Sequence, residues 1–235
     1  QSTTMPANGP MEEFTRKVTR NDYPILRLKQ LGIKKVRVPL VDFLDPISAA
    51  RIRLLGFFGI RAVVFFIGTI SKKDLKILEN MRENIYAIEV ISRDIPLNIL
   101  KMLRDTALPV WYSKISTSAD QSDDTKPFNI SVSTGCMVDE MKAVSLNLSE
   151  TSSKVGFRLV VQCPWKGDAM VASVKEILKE WSYIDNMGVK LAINVRLASS
   201  NPAKENVDAI ATAQTITGVQ SFAEDNPDVE FVLDT

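Results

Sequence analysis

Between Lys35 and Leu40 the chain alternates: Val36, Val38 and Leu40 are apolar, while Lys35, Arg37 and Pro39 are not. That period of two describes a strand with two unlike faces, one oily and one carrying Arg37. The same kind of segment recurs after helical stretches. Strands are predicted over 35–40, 61–67, 86–91, 110–115, 156–163, 191–197 and 229–233. Between them, the sequence predicts helices from Pro46 to near Gly59, from Ser71 to about Glu83, and over 96–106, 138–148, 168–187 and 202–223. Asp45 before Pro46 is an N-cap and first-turn signature, and Gly188 closes the helix before it. Leu26, Leu28 and Leu31 point to an earlier helix within 11–31, interrupted by Pro24, and 116–135 is a long polar loop.

Seven strands alternating with helices fit a parallel α/β fold. Two architectures accept that order, a closed (β/α)8 TIM-like barrel and an open doubly wound parallel sheet. The open dinucleotide-binding sheet carries a glycine-rich turn after its first strand, which is absent here. Several strands also place charge opposite their apolar face, which suits a barrel interior better than a sheet covered on both sides. The expectation is a TIM-like barrel over 11–235 with one strand missing, preceded by a disordered or linking segment at 1–10. The chain has no initiating Met and ends inside an apparent strand. It reads as a fragment of a longer chain whose other domains are possible partners.

Composition narrows the chemistry. A chain of 235 residues with 45% hydrophobic content can bury a full core. A net charge of +1, with no basic run longer than a pair, speaks against a nucleic-acid surface. No apolar run approaches the ~20 residues of a membrane span, so no membrane partner is expected. Two cysteines, Cys136 and Cys163, are too few for a disulfide scaffold, and a reducing, cytoplasmic compartment is the simplest reading. There is no histidine, which removes His-based zinc sites, Ser/His/Asp and Cys/His nucleophiles and imidazole acid/base catalysis from this chain. No cofactor signature is present, and no metal site is assigned. Asp42, Asp45, Asp94 and Asp234 are strand-end acids considered for Mg²⁺, but Asp45 is better explained as a cap.

The run Gly32–Leu40, GIKKVRVPL, resembles the second strand of clan A glycoside hydrolases, which ends in a hydrophobic-Arg-hydrophobic-Pro pattern. The resemblance implies a TIM barrel and carbohydrate chemistry. In that family the fourth strand ends in Asn-Glu, the Glu being the general acid, and a Glu nucleophile closes the seventh. Here Ile88-Glu89-Val90-Ile91 is followed by Ser92-Arg93, and LAINVRLAS at 191–199 contains Arg196 but no carboxylate. A retaining glycosidase needs two carboxyl groups about 5 Å apart, so the standard double-carboxylate route is not expected.

The less apolar face of each strand collects Arg37, Glu89, Lys114, Arg158, Gln162, Asn194, Arg196, Glu230 and Asp234 as the interior set. Lys114, Glu89 and Asp234 are the catalytic candidates, Lys114 through imine chemistry in a desolvated site. Arg37, Gln162, Asn194 and Arg196 are the substrate-binding candidates, because barrel sites lie at the carboxyl ends of strands. The competing reading pairs Arg37, Glu89, Arg158 and Glu230 in a buried ion network. Cys163 reads as a core residue, since no imidazole can activate it, and Trp165 as a rim aromatic, placed either to stack on a sugar ring or to pack on its own loop. Two functions remain: a barrel enzyme or binder for a polar, anionic or carbohydrate-like small molecule, and a catalytically silent barrel serving as a structural or partner-binding domain. A mouth plugged by 116–135 favours the second.

Overall fold

The computed structural model describes residues 22–117, 132–151, 157–164, 168–184, 188–196 and 205–234. The segment at 1–10, residues 118–131 of the 116–135 loop, and Trp165 lie outside them. In chain order the elements are α1 (Asp22–Gln30), β1 (Lys35–Pro39), α2 (Leu40–Leu44), α3 (Pro46–Phe57), β2 (Arg61–Ile67), α4 (Lys72–Asn80), β3 (Ile85–Ser92), α5 (Leu97–Arg104) and β4 (Val110–Thr117). There follow β5 (Val132–Thr134), α6 (Met141–Thr151), β6 (Phe157–Pro164), α7 (Asp168–Ser182), β7 (Lys190–Arg196), α8 (Glu205–Asp225) and β8 (Glu230–Asp234).

Seven strands are parallel and neighbour one another in sequence order, β1-β2-β3-β4-β6-β7-β8. Laid flat at about 4.8 Å per strand, β1 and β8 would stand nearly 30 Å apart. Instead Lys35 Nζ of β1 reaches Glu230 of β8 at 2.7 Å. The sheet is therefore curled until its edges face each other. No backbone pairing joins β1 to β8 among the described residues, so the barrel is open there, in the manner of a TIM-like barrel with one strand's place vacant.

The packing rules out the open doubly wound alternative. The large core joins the outer strand faces, with Val64, Ile88, Val90, Val110, Leu159, Val161, Leu191 and Ile193, to Leu78 of α4, Leu100 and Leu103 of α5, Leu148 of α6 and Val174 of α7. A small second cluster, Val63, Ala87, Trp111, Val160 and Ala192 with Tyr86 and Val232, is built from strands alone. Helices thus cover one face, and the other is the interior. The local signals explain most boundaries: Asp45 accepts from Ser48 N at 2.8 Å ahead of Pro46, and Ser71 and Asp74 form a capping box on α4.

Two features depart from the expected order. The β2–β3 register shifts between Ala62 and Val63, and in consequence Tyr86 joins Ala87 on the inner cluster. The carboxyl end of the predicted 116–135 loop forms β5, antiparallel to the end of β4. Its continuation wedges between β4 and β6: Gly135 N donates to Lys114 O, Cys136 N to Val160 O, and Gln162 N to Cys136 O. Gly135 has φ +112, and a Cβ there would stand 2.8 Å from Gln162 N, so only glycine fits the crossing.

Candidate functional site

The interior is filled in two polar layers. Nearer the carboxyl ends, Glu89 of β3 is 1% exposed. Arg37 of β1 grips it in bidentate fashion, Nε to Oε2 at 2.7 Å and Nη2 to Oε1 at 3.0 Å, and buried Ser113 Oγ of β4 donates to Oε1. Arg37 Nη2 also reaches Thr134 Oγ1 at 3.5 Å, and Asn194 Nδ2 of β7 meets Thr134 O at 3.3 Å. Five elements therefore converge, with the β5 residue Thr134 lying between β1 and β7. A carboxylate removed from water in this way must be paired, and it is.

Nearer the amino ends, Glu230 takes Lys35 Nζ on both oxygens at 2.7 Å and the Tyr86 hydroxyl on Oε1. Burial pushes the Glu230 carboxyl up, but the hydrogen bonds from Lys35 and Tyr86 and the charges of Lys35 and Arg158 prevail and hold it below its usual value. Arg158 donates Nη1 to Leu191 O at 2.9 Å and Asp228 O at 3.1 Å, and burial draws its pKa down. Tyr86 and Trp111 meet edge to face with ring centroids 6.3 Å apart. Arg37 and Glu89 pair as the network reading has it, whereas Glu230 takes Lys35 as its close partner and stands 4.0 Å from Arg158 Nη2.

Of the predicted site residues, Arg37, Glu89 and Asn194 come together about Thr134. Lys114 is corrected: it shares the parity of Val110 and Tyr112, whose side chains pack in the helix-facing core, and its ammonium donates to Glu140 outside the barrel wall. Its strand offered polar residues on both faces, and Trp111 and Ser113 are the ones turned inward. Gln162 has inner parity and turns its amide to the Met137 thioether. Asn194 is inside, at Thr134. Arg196 and Asp234 are register partners at the carboxyl ends of β7 and β8, and their side chains lie outside the described residues. Asp45 is the N-cap of α3, and Asp42 sits in the first turn of α2. Cys163 is fully buried, and burial pushes its thiol up to about 11; Cys136 is likewise buried and raised.

Tyr86, Trp111, Ser113 and Thr134 line the interior without having been singled out. The alternation of β4 contained the signal for Trp111 and Ser113, masked by the charge of Lys114. Nothing local marks Tyr86, which faces inward through the bulge. Among the described residues no three or more Cys, Asp and Glu side chains gather as a metal site, and no helix is long and apolar enough to cross a membrane. Two clefts, one of about 520 Å³ beside Trp181, Lys190 and Asp228 and one of about 230 Å³ beside Leu78, Arg82 and Leu108, open at the amino-terminal side of the strands.

No family model matches the chain, and neither does any curated protein. Among solved structures it is similar to the crystal structure of carboxynorspermidine decarboxylase complexed with norspermidine from Campylobacter jejuni, at 11% identity and a TM-score of 0.41. The similarity covers 93% of this chain and 57% of that one.

Proposed function

We propose that this barrel is a catalytically silent domain, a structural or partner-binding unit whose interior is closed by its own side chains. One observation carries the reading: Glu89, the inner carboxylate nearest the carboxyl mouth among the described side chains, is 1% exposed and held by Arg37 and Ser113 beneath Thr134. A general acid or nucleophile must reach substrate, and a carboxylate spent on a bidentate guanidinium does not. The test is turnover. Aryl glycosides, sugar acids and sugar phosphates should all survive incubation with the protein. Turnover that vanishes in Glu89→Gln while the fold persists would overturn the reading.

A second reading rests on Arg196. Its parity is that of Ala192 and Asn194, and it ends β7 in register with Asp234. A guanidinium at a carboxyl mouth recognises carboxylate or phosphate in bidentate fashion, and this reading makes the domain a binder of a polar, anionic, carbohydrate-like small molecule. Titration of sugar acids and sugar phosphates against the protein and its Arg196→Ala variant decides it. Equal affinity for neutral sugars, or an unchanged affinity in the variant, would place Arg196 in a structural role.

A further inference from the structure

We propose that the amino-terminal mouth of the barrel, opposite the end where Arg196 lies, binds a small oxyanion, a phosphate or carboxylate group held by Lys35, Arg61 and Arg158. The inference is independent of the silent-domain reading and of the Arg196 reading. It starts from register. Lys35 of β1 stands directly opposite Arg61 of β2, and Arg158 of β6 directly opposite Lys190 of β7. Like charges facing each other across neighbouring strands repel and destabilise the pairing. Here two such pairs occur at the same end of one barrel.

The carboxylates at hand do not answer all four. Glu230 takes Lys35 on both oxygens. Its distance to Arg158 Nη2 is 4.0 Å, beyond hydrogen-bond range, and Asp228 gives Arg158 its backbone O while its carboxylate acts only through space. Arg61 and Lys190 are exposed and have no carboxylate within ion-pair distance among the described residues. Lys35 Nζ lies 4.0 Å and the Arg61 guanidinium 5.5 Å from the centroid of the same Tyr86 ring, so the two cations stand within about 10 Å of each other. Across the mouth, Arg158 lies 5.8 Å over the Trp111 ring.

A second observation points the same way. The Trp111 indole N–H, on the register partner of Arg158, is buried and has no acceptor among the described residues. A buried donor left unmade costs free energy that an acceptor oxygen would recover. Cations crowded over aromatic faces, with a donor lacking its acceptor beside them, form a cup of positive potential that draws an anion. Access is open, because Lys35 is 36% exposed and β1 makes no backbone pairing with β8.

The experiment titrates inorganic phosphate and, separately, malonate into the whole chain, following tryptophan emission and the amide resonances of Lys35, Arg61 and Arg158. Trp111→Phe assigns the emission change among the three tryptophans. At least one anion should bind saturably, more weakly as NaCl is added, and roughly tenfold more weakly in Arg61→Gln, the loss of one charge-assisted contact. Arg196→Ala should leave this affinity unchanged. Saturation by phosphate alone, or by malonate alone, identifies the class of ligand. No saturable response to either anion overturns the proposal. So does a dissociation constant unmoved by Arg61→Gln, an exposed change that breaks no ion pair among the described residues, or one that moves only in Arg196→Ala.

Discussion

Lys35 and Glu230 meet at 2.7 Å although the strands that carry them, the first and last of the sheet, share no backbone pairing. The pair closes across the open seam of the barrel, and Tyr86 from β3 completes the carboxylate's shell. The seam is thus held by side chains where neighbouring strands elsewhere are held by ladders.

That relationship predicts a pH dependence. The folded carboxyl of Glu230 is held below its usual value near 4.5, so its contribution to stability is complete above that pH and is lost as pH falls through the depressed folded value. Glu230→Gln should lower stability near neutrality by on the order of 1–2 kcal/mol, discounted because Lys35 is partly exposed. It should also flatten the acid limb of a plot of unfolding midpoint against pH. A variant whose acid limb superimposes on that of the parent would show that the seam pair contributes nothing.

The Arg37–Glu89 pair is more deeply placed, with side chains 17% and 1% exposed. Glu89→Ala should cost roughly 3–5 kcal/mol in urea unfolding by stranding the guanidinium, whereas Arg37→Met with Glu89→Met together should recover most of that loss. Additive losses in the double variant would contradict the coupling.

Gly135 tests the wedge. Gly135→Ala forces a Cβ to 2.8 Å from the Gln162 amide nitrogen at a positive φ, and should cost about 1–3 kcal/mol. The amides of Cys136 and Gln162, which bond across that crossing, should lose hydrogen-exchange protection first. Retained protection at both would mean the crossing relaxes without strain.

Both thiols should be inert in the folded protein. Cys163 and Cys136 are buried, with their pKa values raised by burial, that of Cys163 to about 11. Reaction with a disulfide reagent at pH 8 should wait for denaturant, then count two thiols. Prompt labelling of either residue without denaturant would contradict this placement.

The pattern of apolar and polar residues placed the seven parallel strands by itself. Arg61–Ile67 was legible to the residue, and Asp45 before Pro46 marked the start of α3, because both signals depend only on side chains within one turn or one pleat. The inward parity of Arg37, Glu89, Arg158, Gln162 and Asn194 was also legible, since each shares its strand with a clearly apolar opposite face. Lys114 was not, because β4 is amphipathic in neither direction: Trp111 and Ser113 compete with Tyr112 and Lys114, and pairing with β3 and β6 settles which pair enters the barrel. Tyr86 turned inward as the extra residue of a bulge in its own strand, where neighbouring Ala62 and Val63 pair with Ile85 and Ala87, and β5 exists only because Thr134 and Ile115 meet in antiparallel register. The charge balance of the interior lay furthest from local reading. Lys35 and Glu230 are 195 positions apart, and only the curl of the whole sheet brings such residues within reach, because a strand's period states which way a side chain points but not what it will meet.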